Sequence, residues 1–192
     1  MSTNLEIEFK NMLTKTEYQQ LMNHFNPQNL SLITQQNIYY DTANASLKQL
    51  KSALRIRIKN ETYELTLKLP QSIGLLEINQ SLTADDVWQF NNHKKLPPGA
   101  VVDALISHNI DVSHLNIITD LITKRFECPY EGGLLVLDES FYHEITDYEL
   151  EYEVTDYDIG HHQFQTLLNH YHIPLRPAKS KIKRAIDAMT IT

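Results

Sequence analysis

Every second residue between Asp147 and Glu153 is a carboxylate: Asp147, Glu149, Glu151 and Glu153, alternating with Tyr148, Leu150 and Tyr152. Side chains alternate across a strand, so this segment carries a row of negative charge on one face and an apolar row on the other. Stacked like charges repel, and the arrangement becomes favourable when a cation sits among them. Hard, oxygen-preferring ions such as Mg²⁺ or Mn²⁺ suit such donors. A shorter version of the pattern opens the chain as Glu6, Glu8 and Lys10 between Leu5, Ile7 and Phe9. Other segments carry the opposite sign. Arg55, Arg57 and Lys59 share one strand face, the next segment offers Glu64, Thr66 and Lys68, then come Glu77 and Asn79, and later Thr123, Arg125 and Glu127. Arg offers a planar bidentate fork and Lys a compact charge, and both suit phosphate oxygens. Acidic rows for a metal and basic rows for phosphate together suit a polyphosphate bound through divalent ions.

The elements that must position these rows are legible from periodicity. Strand-like alternation covers residues 4–10, 33–41, 53–60, 62–69, 75–82, 118–128, 133–140 and 142–155, about eight strands, a number that suits a small closed barrel. Helical spacing appears at Tyr18, Leu21, Met22 and Phe25, behind a capping-box signature from Thr14 to Glu17. It recurs at Phe164, Leu167, Leu168 and Tyr171, and again at Ile182, Ala185, Ile186 and Met189. A central helical pair, 84–93 and 98–108, is interrupted by Pro97-Pro98-Gly99. The fold class is α+β, in a single domain spanning residues 1–192. The apolar helix stripes need apolar strand rows to cover, such as Leu54, Ile56 and Ile58 or Tyr148, Leu150 and Tyr152, which turns the charged rows inward. An open sheet with one helix-covered and one solvated face reads the same way.

Bulk properties narrow the function classes. A net charge of −7 argues against a nucleic-acid coat. The single Cys128 excludes an internal disulfide framework and fits a reducing cytosol. The first four residues have no signal-peptide character, and no apolar run reaches membrane-spanning length. A soluble, cytoplasmic protein with no nucleic-acid or membrane partner is expected. Its oligomeric state is not encoded in these patterns. The nine histidines, including His161-His162, show no recurring metal-ligand spacing and read as solvated surface. Cys128 reads as a structural thiol, and Tyr39, Tyr40 and Trp88 as core or helix-packing residues.

In order along the chain, Glu6-Ile7-Glu8-Phe9-Lys10, Tyr39-Tyr40-Asp41-Thr42, Leu54-Arg55-Ile56-Arg57, Leu65-Thr66-Leu67-Lys68, Thr123-Lys124-Arg125 and Glu149-Leu150-Glu151 resemble the motifs of the CYTH domain, the triphosphate tunnel metalloenzymes. Ser180-Lys181 followed by Arg184 is similar to the family's terminal basic motif. The resemblance implies an eight-stranded antiparallel β-barrel with helices packed outside. It also implies a triphosphate-containing small molecule as substrate and Mg²⁺ or Mn²⁺ as cofactor. Glu6, Glu8, Glu149 and Glu151 would be the metal side. Lys10, Arg55, Arg57, Lys68, Arg125 and Lys181 would bind phosphate. Glu8, Glu151, Glu153 and Arg57 would be catalytic, with Glu151 or Glu153 orienting the attacking water. Asn79 stands where the family often has a second acidic residue, which leaves second-metal occupancy open. Asp138 is compatible with a place in the lumen, in metal support or in a turn. Glu64 and Glu127 read as counter-charges, and Lys181 reads alternatively as a solvated helix-start position.

The implied reaction is metal-dependent hydrolysis of inorganic triphosphate or of a small organic or nucleoside triphosphate. A class IV-like adenylyl cyclase making cyclic AMP from ATP is one alternative, although no residue group for adenine or ribose is evident. A non-catalytic polyphosphate-binding or nucleotide-binding regulatory module is the other.

Overall fold

The computed structural model describes residues 2–189. Its strands are β1 (Ser2–Leu13), β2 (Ile33–Thr42), β3 (Ala53–Lys59), β4 (Thr62–Pro70), β5 (Leu75–Leu82), β6 (Leu115–Tyr130), β7 (Gly133–Tyr142) and β8 (Ile145–Val154). The helices are α1 (Lys15–Phe25), α2 (Ser46–Gln49), α3 (Ala84–His93), α4 (Ala100–Ser107), α5 (Tyr157–His170) and α6 (Lys181–Met189). The strands close into a barrel in the order β1-β5-β4-β3-β2-β6-β7-β8. Closure decides between the barrel and the open sheet that the periodicity allowed.

The chain forms two compact units. One contains Gln35–Asp120 with the start of β1; the other contains Glu6–Thr34 and the chain from Leu121 on. In the first, β3 and β4 turn Leu54, Ile56, Leu65 and Leu67 to one face, where they pack with Val87 and Phe90 of α3 and Val101 and Leu105 of α4. Burying such a side chain contributes about 1.5–3 kcal/mol, which makes this apolar face the strongest determinant of where the helices dock. A capping box between Thr83 and Asp86 starts α3. The Pro97-Pro98-Gly99 break is seated on buried Gln80, whose Nε2 donates to the Pro97 carbonyl at 3.1 Å. A Cβ at Gly99 would fall 2.3 Å from the Gln80 Oε1, so a larger residue there would displace the Gln80 amide.

In the second unit Leu135, Leu137, Leu150 and Tyr152 pack with Leu21 of α1 and with Phe164, Leu167 and Leu168 of α5. The expected capping box is formed: Thr14 and Glu17 exchange hydrogen bonds at the start of α1. Both apolar rows thus lie under helices, and the charged rows occupy the opposite strand faces, as the stripe argument requires.

Several expectations are corrected. The last strand begins at Ile145 instead of 142, because His143, with φ 51°, turns the chain between β7 and β8. β6 is longer than expected and includes Pro129 near its end. Trp88 is not a core residue: it follows Val87 on α3, faces away from the buried stripe and is 54% exposed. Met189 is likewise 49% exposed, at the end of α6. Tyr39 and Tyr40 are buried, and Tyr40 donates to Asn91 at 2.9 Å.

Candidate active site

Strand register builds the acidic side. In β8, Glu149 lies across from Asp138 of β7, and Asp138 lies across from Arg125 of β6. On the other edge of β8, Glu151 lies across from Lys10 of β1, and Glu153 lies across from Glu8. Directly opposed like charges destabilise a sheet, so the Glu8–Glu153 pair needs a compensating cation.

Two groups of three carboxylates result, each with oxygens within 4.8 Å of one another and so able to hold a metal ion: Asp138, Glu149 and Glu151, and Glu6, Glu8 and Glu153. The donor sets are all oxygen, which fits a hard divalent cation. The first group is buried and meets four cations from three elements, β1, β6 and α6. Lys181 of α6 places its Nζ 2.9 Å from Asp138, 2.5 Å from Glu149 and 2.7 Å from Glu151. Arg125 grips Asp138 with Nε and Nη2 at 2.9 and 2.7 Å and reaches Glu151 at 2.8 Å. Lys10 lies 3.0 Å from Glu151 and 2.8 Å from Glu8. Arg184 bonds Asp147 at 2.7 Å and Glu149 at 3.1 Å.

These contacts set the protonation states. Burial alone would raise Glu151, but Lys10, Lys181 and Arg125 overcome it and hold the carboxyl well below the ordinary range. Asp138 is lowered in the same way, against its burial, by Lys181 and Arg125. Burial would lower Lys10 and Lys181, yet the surrounding carboxylates raise both. Glu153 goes the other way. Burial raises it to about 7, Glu6, Glu151 and Glu8 add to the rise, and Arg125, 4.0 Å away, opposes it.

The other unit carries the basic row. Arg55 and Arg57 of β3 lie across from Thr66 and Glu64 of β4. Arg57 donates its Nε to Asn37 at 3.1 Å, and Lys68 pairs with Glu77 at 2.5 Å. Burial would raise Glu77, but Lys68, with Arg55 and Arg57 adding to the effect, lowers it. Asn79 accepts from Thr66 at 2.8 Å, so the neutral residue is fixed in a hydrogen bond. The Nε of Arg55 is buried with no hydrogen-bond partner among the described residues. A buried guanidinium donor left unsatisfied is costly, and an incoming anion would satisfy it.

Glu6, Glu8, Lys10, Arg125, Glu149, Glu151, Glu153 and Lys181 therefore come together in one unit, and Arg55, Arg57 and Lys68 share the other. Lys181 is a buried partner of three carboxylates and not a solvated helix start. Three residues carry more than their sequence positions suggested. Asp138 anchors Arg125 and Lys181, Arg184 binds Glu149, and Asn37 orients Arg57. For Asp138 and Asn37 the signal lay in cross-strand register, which alternation alone does not supply, and for Arg184 in the docking of α6. Glu127 is exposed, and so are His161 and His162 on α5.

A closed eight-stranded barrel carrying acidic and basic rows defines a class of phosphate-handling folds. The CYTH domain model matches residues 4–186, and the chain belongs to the CYTH family. It is 42% identical over 185 residues to a Bacillus subtilis (strain 168) protein named "Putative triphosphatase YjbK", covering 96% of this chain and 95% of that one. A crystal structure from Bacillus halodurans, described as a "putative adenylate cyclase", superposes with a TM-score of 0.91 at 37% identity, covering 96% and 98% of the two chains. HpAC1 from Hippeastrum, described as having a dominant triphosphatase activity, shares the fold with a TM-score of 0.78 at 24% identity, covering 96% of each chain.

Proposed function

We propose that the chain, acting as one domain over residues 1–192, is a divalent-metal-dependent triphosphatase. Its substrate would be inorganic triphosphate or a small organic or nucleoside triphosphate. The observation that carries this reading is the pairing of two three-carboxylate groups with contacting lysines and arginines in one charged row. The relative named as a triphosphatase supports it. Glu6, Glu8, Glu149 and Glu151 would hold Mg²⁺ or Mn²⁺, joined by Asp138 and Glu153, which complete the two groups. Such an ion, when bound, supplies neutralisation of phosphate charge.

The protein's own groups do the rest. Lys10, Arg55, Arg57, Lys68, Arg125 and Lys181 bind phosphate oxygens, with Arg57 stabilising charge on the transferring phosphoryl group. Asn37 fixes the Arg57 fork through its Nε. Glu153, half-buried and across from Glu8, is placed to orient water and take up its proton. Glu151, held ionised by three cations, keeps its charge and fixes Lys10 and Arg125. Water attacks the terminal phosphorus, the bond to the bridging oxygen breaks, and phosphate and the shortened chain leave. A cytoplasmic setting fits the single Cys128, and among the described residues no helix is long and apolar enough to cross a membrane. No nucleic-acid or membrane partner is proposed.

The description of the Bacillus halodurans relative favours a second reading, cyclisation of ATP. Chromatography of products from ATP separates the two: hydrolysis gives phosphate, and cyclisation gives cyclic AMP and diphosphate. Phosphate release from inorganic triphosphate in the presence of Mg²⁺ or Mn²⁺ supports the triphosphatase. A tightly bound but intact triphosphate would instead indicate a binding module.

A further inference from the structure

The charged face of the first unit is crossed by rows of residues that lie opposite one another on neighbouring strands. Asn37, Arg57, Glu64 and Ser81 form one row, Tyr39, Arg55, Thr66 and Asn79 the next, and Ala53, Lys68 and Glu77 a third. In two of these rows the base has an acid beside it: Glu64 lies across from Arg57, and Glu77 pairs with Lys68 at 2.5 Å. The row of Arg55 differs. It offers a phenol, a hydroxyl and an amide but no carboxylate, and the buried Nε of Arg55 finds no hydrogen-bond partner among the described residues. Its neutral members are turned to one another instead. The buried Thr66 hydroxyl donates to Asn79 Oδ1 at 2.8 Å, and Asn79 Nδ2 lies 3.5 Å from the Ser2 hydroxyl.

Neighbouring strands are spaced about 4.8 Å apart, which puts the Cα atoms of Arg55 and Asn79 about 10 Å apart across Thr66. An arginine stem spans most of that distance. The Arg55 charge in fact reaches β5: burial would raise the Glu77 carboxyl, Lys68 lowers it, and Arg55 and Arg57 add to the lowering. An aspartate at position 79 would keep the bond from Thr66, because a carboxylate oxygen accepts as an amide oxygen does. It would also set a negative charge beside Arg55 and pair with it, as Glu77 pairs with Lys68. A guanidinium already bound to an internal carboxylate offers less to an incoming phosphate, which must first displace that partner.

We infer that Asn79 is a positioning residue for Arg55: by being neutral it leaves the guanidinium to a phosphate of the substrate, and so sets how tightly the basic row holds a polyphosphate. Arg57 is oriented by Asn37, and Lys68 is matched by Glu77, so both already have partners within the protein. The buried Nε of Arg55 is a donor whose lack of a partner is costly until an anion supplies one. This inference rests on the reading that Arg55 meets a phosphate of the substrate.

The test compares N79D, N79E and the neutral N79S with wild type, each alone and combined with R55Q. Affinity is read by calorimetric titration with the non-hydrolysable imidotriphosphate and Mg²⁺, turnover by phosphate release from inorganic triphosphate, and folding by near-ultraviolet circular dichroism. N79D is expected to weaken binding and raise KM about tenfold while kcat stays within about twofold, the pattern of a lost substrate contact. N79E carries the same charge from the same position, should behave alike, and decides the matter if N79D fails to fold. N79S loses the bond from Thr66 but adds no charge, and its affinity should stay within about twofold of wild type. In the R55Q background N79D should be nearly silent, because its effect runs through Arg55. An equal loss in both backgrounds means plain repulsion of phosphate and overturns the inference, as does unchanged binding by N79D and N79E. Tighter binding by N79D with an added Mg²⁺ overturns it too, by making the acid a metal ligand. If wild type binds imidotriphosphate but releases no phosphate, the triphosphatase reading falls and the affinity comparison still decides the role of Asn79. No binding by wild type or any variant overturns both.

Discussion

The two carboxylate groups beside β8 have nearly the same composition and opposite electrostatics. Asp138, Glu149 and Glu151 are buried, held by Lys181, Arg125, Arg184 and Lys10, and the titrations of Asp138 and Glu151 are pushed down. In the group of Glu6, Glu8 and Glu153, burial and neighbouring carboxylates push Glu153 up. One stretch of alternating acids thus serves two ends. Its middle fixes lysines and arginines, and its outer end lies across from another carboxylate, Glu8. The difference comes from what β1, β6, β7 and α6 place opposite each position, since the residue type is the same.

Changes to the row should separate the two groups by size of effect. E151Q removes the shared partner of Lys10, Arg125 and Lys181, and E8Q removes a proposed ligand; each should lower kcat by about a thousandfold, on the scale of losing a charge-stabilising group. Near-normal turnover in both would break the metal assignment. D138N leaves Arg125 and Lys181 short of a buried charge and should cost about 3 kcal/mol of stability, measured by denaturant unfolding. E153Q should spare stability and reduce kcat about a hundredfold, the scale of a general base. If E153Q were the more destabilised of these two, the contrast between framework and reactive end would fail. R55Q removes a buried Nε donor that has no hydrogen-bond partner among the described residues and should raise KM about tenfold with little change in melting temperature.

The smallest effect lies away from the row. Burial is the largest single influence on Glu17 and would raise it, but its bonds from Arg176 and Thr14 together lower its titration. A lowered carboxylate contributes stability that is present above its unfolded value of 4.5 and is lost as pH falls through the folded value. E17Q should therefore be less stable than wild type at neutral pH by about 0.5–1 kcal/mol, a surface-pair magnitude. The gap should close in acid, which thermal melts across pH 3–7 (roughly the span of a carboxylate titration) would record.

Much of this was legible in the sequence because strand alternation has a period of two. Leu54 and Ile56 had to share one face of their strand and Arg55 and Arg57 the other, and Leu150 and Tyr152 were likewise set against Glu149 and Glu151. The Thr14–Glu17 box fixed the start of α1 for an equally local reason. Contacts set by register were not legible. Asp138 had three readings until β7 placed it between Glu149 and Arg125. Lys181 had two readings, a phosphate-binding residue of the terminal basic motif and a solvated helix start, and nothing local records that α6 delivers it to three buried carboxylates. Trp88 misled in the reverse direction: its size suggested burial, while its place beside Val87 on α3 turned it outward.

The central claim is that these rows act together as a metal-dependent triphosphatase. The most direct measurement is phosphate release from inorganic triphosphate by the purified chain with Mg²⁺ or Mn²⁺, with a chelator and the E8Q variant as controls. The account predicts steady release that both controls abolish. No release with either ion, or release that persists undiminished in chelator, would contradict it.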